Sequence, residues 1–346
     1  MICTDSIDKL KKCSQYAVVQ NGSWAFPRVM DENLVLYVPG KCQGDHISGG
    51  PENVHYFTLV SKKRNQPVFT LWANNKPVEQ YTDFLEQYGG KRPSFTTCCI
   101  TGITAKDYSG TGFSRGHQVA MADMGLMDQA NSTFTTCNMS PQNEPMNGNR
   151  WAKLELASRD CAGEKNIVVY TGPIFNDGGK YCMKHGVCSG NQCSEYLSPK
   201  TDWFNNAKYY DACDGSRNQV TVPTAFYKVV CFKDAVYPII MEHEVPGDTT
   251  GTNANILATG SKAWAMIQNE LKEYITFPDV ITQNVKGSSE QTWLSGKCPS
   301  SSSNLMMMEQ TKSKSGSKKT TTIVLIVVGS LLLLLLGLLI WFLNKK

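Results

Sequence analysis

Strong charge of either sign is missing from the body of this 346-residue chain. Six of its 34 basic residues (Lys312, Lys314, Lys318, Lys319, Lys345 and Lys346) sit at the C-terminal end, leaving 28 against the 30 acidic residues before them. A near-neutral body cannot hold nucleic acid by bulk charge, so any such binding needs a local basic patch and a metal. Histidine is scarce, at five residues, and clustered His and Asp/Glu ligands are short, which disfavours a zinc-dependent hydrolase. No apolar stretch opens the chain, so residues 1–10 contain no h-region of a secretory signal. No internal repeat is visible, and a repeat array is set aside.

Cysteine, by contrast, is plentiful: thirteen run from Cys3 to Cys298. That number points to an oxidising compartment and several disulfides, with an odd thiol left over. Cys182, Cys188 and Cys193, with His185 between them, are spaced poorly for zinc, and disulfide loops are expected there instead. Residues 323–343 are an uncharged run of 21 that includes six consecutive leucines, Leu331 to Leu336. As a helix it reaches about 31 Å, the thickness of a bilayer core, so one transmembrane helix is expected. Residues 299–322 are rich in Ser, Thr and Lys and read as a flexible stalk. Lysines flank the apolar run on both sides and do not set its orientation. The missing h-region points to a tail anchor facing the cytosol. The cysteines, with the sequons at Asn21 and Asn131, point to an extracellular or lumenal body. The cysteines weigh more, because exposed thiols are oxidation liabilities in the cytosol. The expectation is a single-pass membrane protein whose body lies outside the cytosol and whose true N-terminus is missing or non-standard; the tail anchor is the alternative.

Between these ends the pattern is mixed α and β. Residues 54–59 and 67–72 are β-rich runs around Lys62-Lys63-Arg64-Asn65, which suggests a hairpin. Residues 167–175, 224–232 and 236–241 look like further strands, and Trp264, Ile267, Leu271 and Tyr274 recur at helical spacing as a core stripe. Residues 1–50 are set apart as a cysteine-containing extension, and 51–298 as the main domain.

Residues 107–160 carry the chemistry. His117 follows Ser114-Arg115-Gly116, and imidazole titrates near neutrality, which suits a general base. Arg115 can fork onto a phosphate, and Gly116 allows close backbone approach. Residues 147–161 read as a helix on which Asn147, Trp151, Glu155 and Arg159 are successive i, i+4 positions. Asn147, Glu155 and Arg159 can then line one groove with Trp151 packed beneath. A carboxamide oxygen is a hard neutral ligand suited to Mg²⁺, Glu155 could hold the ion's waters, and Arg159 could neutralise phosphate charge. Spacing alone fits equally an amphipathic helix with a Glu155–Arg159 surface pair.

The ordered segments Ser114-Arg115-Gly116-His117, Asn138-Met139-Ser140-Pro141-Gln142 and Asn147-x-x-x-Trp151-x-x-Leu154-Glu155 resemble the D-R-G-H, N-x-x-P-Q and N-x-x-x-W-x-x-L/E motifs of the DNA/RNA non-specific endonuclease family, with an endonuclease domain-containing 1-like flavour. The resemblance extends over about residues 50–285, through Asp107 to Phe113, Tyr170 to Phe175 and Val222 to Val229. It implies an α+β, ββα-metal fold with a central antiparallel sheet flanked by helices. It implies a sugar-non-specific endonuclease that hydrolyses DNA or RNA. In that scheme His117 is the general base and Asn147 the sole protein ligand of Mg²⁺, with Mn²⁺ as the alternative ion. Glu155 lies behind the ion's waters, Arg115 and Arg159 meet phosphate, and Asn138 is a structural polar residue at the site, counted among the substrate-binding residues. Ser114 stands where the family has Asp, which puts the support of Arg115 in question. The competing function is a nuclease-fold receptor, a membrane-borne nucleic-acid-binding ectodomain of little activity.

Overall fold

The computed structural model describes residues 56–74, 92–186, 210–243 and 255–299, apart from short internal gaps, and short strands between residues 2 and 47. The chain divides into a unit of residues 1–299 and a unit of residues 300–346. The expected membrane helix and all of the stalk beyond Pro299 lie outside the described residues. Among the described residues no helix is long and apolar enough to cross a membrane.

The first unit is built on one antiparallel sheet. In chain order its strands are β1 (Ile2–Thr4), β2 (Leu34–Val38), β3 (Phe57–Ser61) and β4 (Gln66–Asn74). A separate pair, β5 (Phe113–His117) and β6 (Met139–Asn143), follows. Next come β7 (Ile167–Ile174), a small ribbon of β8 (Tyr181–Met183) with β9 (Tyr210–Ala212), then β10 (Ala225–Cys231), β11 (Val236–Glu242) and β12 (Ile256–Thr259). The eight-stranded order is β1-β2-β3-β4-β7-β10-β11-β12, with every neighbour antiparallel. The expected strands are all present, with ends shifted by at most three residues. The turn between β3 and β4 falls on Lys62 to Asn65, and Asn65 takes φ 55°, a left-handed conformation that Asn tolerates better than most residues.

Covered faces explain the apolar runs. Every residue of β7 is buried, the mark of a strand packed on both sides. With a period of two, Val168 and Tyr170 point into one cluster while Ile167 and Val169 point into the other. The first face is covered by α3 (Gly260–Leu271), whose Trp264, Ile267 and Leu271 are the expected stripe. Tyr274 lies just past that helix, and its hydroxyl accepts from Arg64 Nε at 3.4 Å. The second face is covered by α2 (Ala152–Glu164), with Trp151 fully buried against Phe226 at 5.6 Å between ring centroids. Each such side chain contributes roughly 1.5–3 kcal/mol by leaving water. Helices α1 (Met127–Ser132), α4 (Asp279–Gln283) and α5 (Glu290–Leu294) complete those described.

Three disulfides join distant segments: Cys98–Cys137, Cys161–Cys298 and Cys182–Cys213. Cys99 is disulfide-bonded as well, and Cys231 is a free, half-buried thiol. Cys182 thus belongs to a disulfide loop, as its poor zinc spacing suggested; Cys188 and Cys193 lie outside the described residues.

Candidate active site

Strands β5 and β6 run antiparallel with His117 opposite Met139 and Gly116 opposite Ser140. Gly116 is required by space: a Cβ there would overlap the buried Gln142 side chain. His117 ends β5, its ring edge-on to Phe134 at 5.1 Å and near Phe95 at 5.9 Å. Its Nε2 makes no hydrogen bond among the described residues. Burial, then the guanidinium groups of Arg92 and Arg115, push its pKa down from 6.5 to about 3. The imidazole is therefore neutral at neutral pH, the form a general base needs.

Asn138 was expected to be a structural polar residue that also meets substrate, and the geometry keeps the first role and not the second. It is fully buried. Its Oδ1 accepts from Val119 N at 3.0 Å, and its Nδ2 donates to the carbonyls of Val119 and Thr133, both at 3.0 Å. With both ends engaged inside the protein it cannot reach a ligand. It braces the chain that follows His117, a role in which loss would orphan buried backbone groups.

The Asn143 backbone N–H donates to His243 Nε2 at 2.9 Å, and His243 Nδ1 donates to the Pro223 carbonyl at 2.7 Å. The Asn143 side chain in turn accepts from Met146 N at 3.1 Å, capping the helical turn Glu144–Met146. A π-helical turn, Asn147–Trp151, then leads into α2. The expected uniform helix thus begins with a wider turn, a feature often found at functional sites. Two antiparallel strands feeding a helix this way give the ββα arrangement that the motifs imply.

Asn147 opens the π turn. Its Nδ2 donates to Ser114 Oγ at 3.3 Å, and Ser114 Oγ donates to the Gln142 carbonyl at 3.0 Å. Ser114, in the place of an acid, orients Asn147 rather than Arg115. Arg115 is exposed and lies over the Phe95 ring, Cζ 4.4 Å from its centroid. Farther along, Arg159 Nη1 meets Asp123 Oδ1 at 2.9 Å, with the Asp123 side chain fully buried. Its ion pair is therefore with Asp123, a residue outside the helix. Burial first, and then Asp123, raise the pKa of Glu155, while Lys228 and Arg159 pull against them.

These groups line two adjoining pockets that share Arg92, His117, Asn147 and Gly148 and so form the two lobes of one cleft. The larger, about 580 Å³, is lined by Arg92, Phe95, Ser114, Arg115, His117 and Asn147. The smaller, about 290 Å³, adds Glu155 and Arg159 to Arg92, His117 and Asn147. Of the expected site residues, five are brought together and Asn138 is not. Sequence reasoning missed Arg92, which lines both lobes, and His243, which anchors the capped turn. Arg92 has no motif around it, and the Cys98–Cys137 bridge that ties its segment to β6 could not be read from spacing. Among the described residues no cluster of three or more His, Cys, Asp or Glu could cage a metal. The acidic and carboxamide side chains that line the two lobes are Glu144, Asn147 and Glu155.

Comparison with known proteins agrees with this geometry. Residues 54–283 match the family model for DNA/RNA non-specific endonucleases. Nuclease C1 of Cunninghamella echinulata var. echinulata is 34% identical over 137 residues, which are 37% of this chain and 42% of that protein. Human mitochondrial endonuclease G is 31% identical over 138 residues, 38% of this chain and 37% of that protein. Mitochondrial nuclease 1 of Schizosaccharomyces pombe is 30% identical over 227 residues, 62% of this chain and 61% of that protein. The chain thus spans less than two thirds of the length of each of these relatives. With the family model matching most of its length, the chain belongs to the DNA/RNA non-specific endonuclease family.

Proposed function

We propose that this protein is a divalent-metal-dependent endonuclease that hydrolyses phosphodiester bonds of DNA or RNA. One observation carries the reading: His117, Arg115, Asn147, Glu155 and Arg159, drawn from β5, the π turn and α2, line a single cleft. Neutral His117 takes a proton from the attacking water. Arg115, Arg92 and Arg159 place positive charge against the scissile phosphate, where developing negative charge is stabilised. The donor set fits Mg²⁺, with Mn²⁺ as the alternative. Asn147 Nδ2 is engaged by Ser114, so the hard carboxamide oxygen is the atom that would hold an ion, and Glu155 would accept hydrogen bonds from its waters. Such an ion would supply positive charge for the phosphate and the leaving oxygen.

The body is further proposed to act outside the cytosol, carried on the apolar run 323–343 as a membrane anchor. Three bridges among the described residues support an oxidising compartment.

The test is cleavage of plasmid DNA and of RNA by the full-length protein, with and without EDTA. Cleavage that EDTA abolishes is expected, and His117→Ala should lower turnover at least ~10²-fold with folding intact. No cleavage of either substrate would instead favour the receptor reading.

A further inference from the structure

The larger lobe of the cleft extends past the groups that the hydrolysis uses. The lobes meet at Arg92, His117 and Asn147, and Glu155 and Arg159 lie on the side of the smaller one. On the other side the larger lobe runs on against Phe95, Tyr108 and Phe113. Tyr108 and Phe113 are buried and give it an apolar wall, while the exposed Ser109 and Glu144 give it a polar rim. At about 580 Å³ the lobe has the volume and the mixed lining of a small-molecule site rather than of a phosphate notch.

Arg115 stands in this lobe on an aromatic support. Its guanidinium Cζ lies 4.4 Å from the centroid of the Phe95 ring. Phe95 is half-buried beneath it and is packed in turn against Phe134 at 5.2 Å and His117 at 5.9 Å. Arg159 is committed to Asp123 at 2.9 Å. Arg115 makes no ion pair or hydrogen bond among the described residues. A guanidinium seated on a ring keeps its N–H groups in its own plane and offers its second face to a further π-system. A nucleotide supplies both partners, a phosphate for the N–H groups and a base for the face.

Charge leads to the same ligand. The body of the chain is near neutral, and a sequence-independent hold on a duplex comes from neutralising many phosphates. Stacking gives affinity without net charge, and it accepts every base because every base has a π-face. A base inside a duplex is paired and stacked, and must leave the helix before it can enter a lobe.

We propose that the larger lobe is a nucleobase subsite: an unpaired base next to the scissile phosphate stacks on the Arg115 guanidinium that Phe95 supports, and the enzyme therefore takes single-stranded nucleic acid in preference to duplex. The inference rests on the nuclease reading of the cleft and names the strand state of its substrate. Phe95 is a positioning residue in this scheme, acting through Arg115.

The experiment compares kcat/KM of the full-length protein, with Mg²⁺, on three substrates of equal length: a single-stranded oligodeoxynucleotide, the same strand in a duplex, and a strand of the same backbone with abasic sites throughout. Wild type is expected to prefer the base-bearing single strand over each of the others by at least ~5-fold, the lower end of what one stacked base contributes. Phe95→Leu is expected to bring the ratio of base-bearing to abasic cleavage below ~2-fold, and Phe95→Trp to keep it. The ratio is the readout because a general loss of activity through His117 lowers both rates alike. Equal cleavage of abasic and base-bearing strands by wild type overturns the inference. So does a duplex cut as fast as the single strand, or a ratio unchanged in Phe95→Leu. If the variants fail to fold, the three wild-type rates decide alone. Wild-type protein that cuts none of the three removes the nuclease reading and this inference together, whereas three equal rates remove this inference only.

Discussion

At the scale of single residues, two side chains outside the motif core set the properties of the cleft. Ser114 Oγ links Asn147 Nδ2 to the Gln142 carbonyl. Ser114→Ala breaks both contacts and frees the Asn147 carboxamide to rotate. The Mg²⁺ concentration giving half-maximal cleavage should rise several-fold, and saturating metal should restore most of kcat; a Mg²⁺ titration identical to wild type would show that Ser114 orients nothing. Arg92 is exposed at the junction of the two lobes and depresses the basicity of His117. Arg92→Ala should therefore weaken nucleic-acid binding roughly uniformly across sequences and lower the log–log salt slope of binding by about 1. Binding measured from low to moderate salt decides it: an unchanged slope means that Arg92 meets no phosphate. Both residues are visible in the sequence. Their roles are not, because each depends on a partner from a distant segment.

At the scale of elements, legibility followed how far local pattern decides structure. The central strands were readable because both faces of the sheet are covered, so β7, β10 and β11 are rich in Val, Ile, Phe and Tyr. The β5–β6 pair was not readable residue by residue. Gly116, Pro141, Gln142 and Asn143 are poor strand formers, and their ladder is fixed by pairing across the chain and by the Asn138 brace. The capped turn before Asn147 hangs on His243, whose pKa burial lowers from 6.5 to about 4. Its Nε2 accepts from Asn143 N, so only the neutral ring serves. Between pH 6.5 and about 4 the unfolded chain binds a proton at this position and the folded chain does not. Stability should thus fall as pH drops through that window and level off below it. His117 acts in the same direction, and Glu155, whose pKa is raised, in the opposite one. His243→Phe should cost about 1–3 kcal/mol at pH 7, by orphaning the buried Asn143 N–H, and flatten the acid decline. Thermal unfolding of both proteins from pH 7 to 4 checks this; parallel curves would exclude His243 as the source.

At the scale of the whole molecule, the bridges tie the cleft to the rest of the fold. Cys98–Cys137 holds the Arg92–Phe95 segment against the start of β6, so it shapes the larger lobe. Cys161–Cys298 joins the helix of Glu155 and Arg159 to the last described residues, across a sequence separation of 137. Loop closure over that distance should restrict the unfolded chain by about 4–5 kcal/mol. The buried sheet and its two apolar faces remain when that bridge is opened, so the fold itself should persist. The loss should show instead as a lower unfolding temperature and as fraying of α2 near Cys161. Cys298→Ser should therefore lower Tm by several degrees and reduce nuclease activity more than it disturbs the sheet. Hydrogen exchange should quicken in α2 while β7 and β10 stay protected. The bridges also fix the thiol chemistry of the native protein. Alkylation without reductant should leave the six cysteines of the three bridges unmodified, and should label Cys231 only slowly, because burial raises its thiol well above the ordinary pKa. Peptide mapping reads both outcomes at once. Rapid labelling of Cys161 and Cys298 in native protein would mean that the helix of the cleft is untied where the protein works, and would return the cytosol-facing tail anchor as the better account of its location.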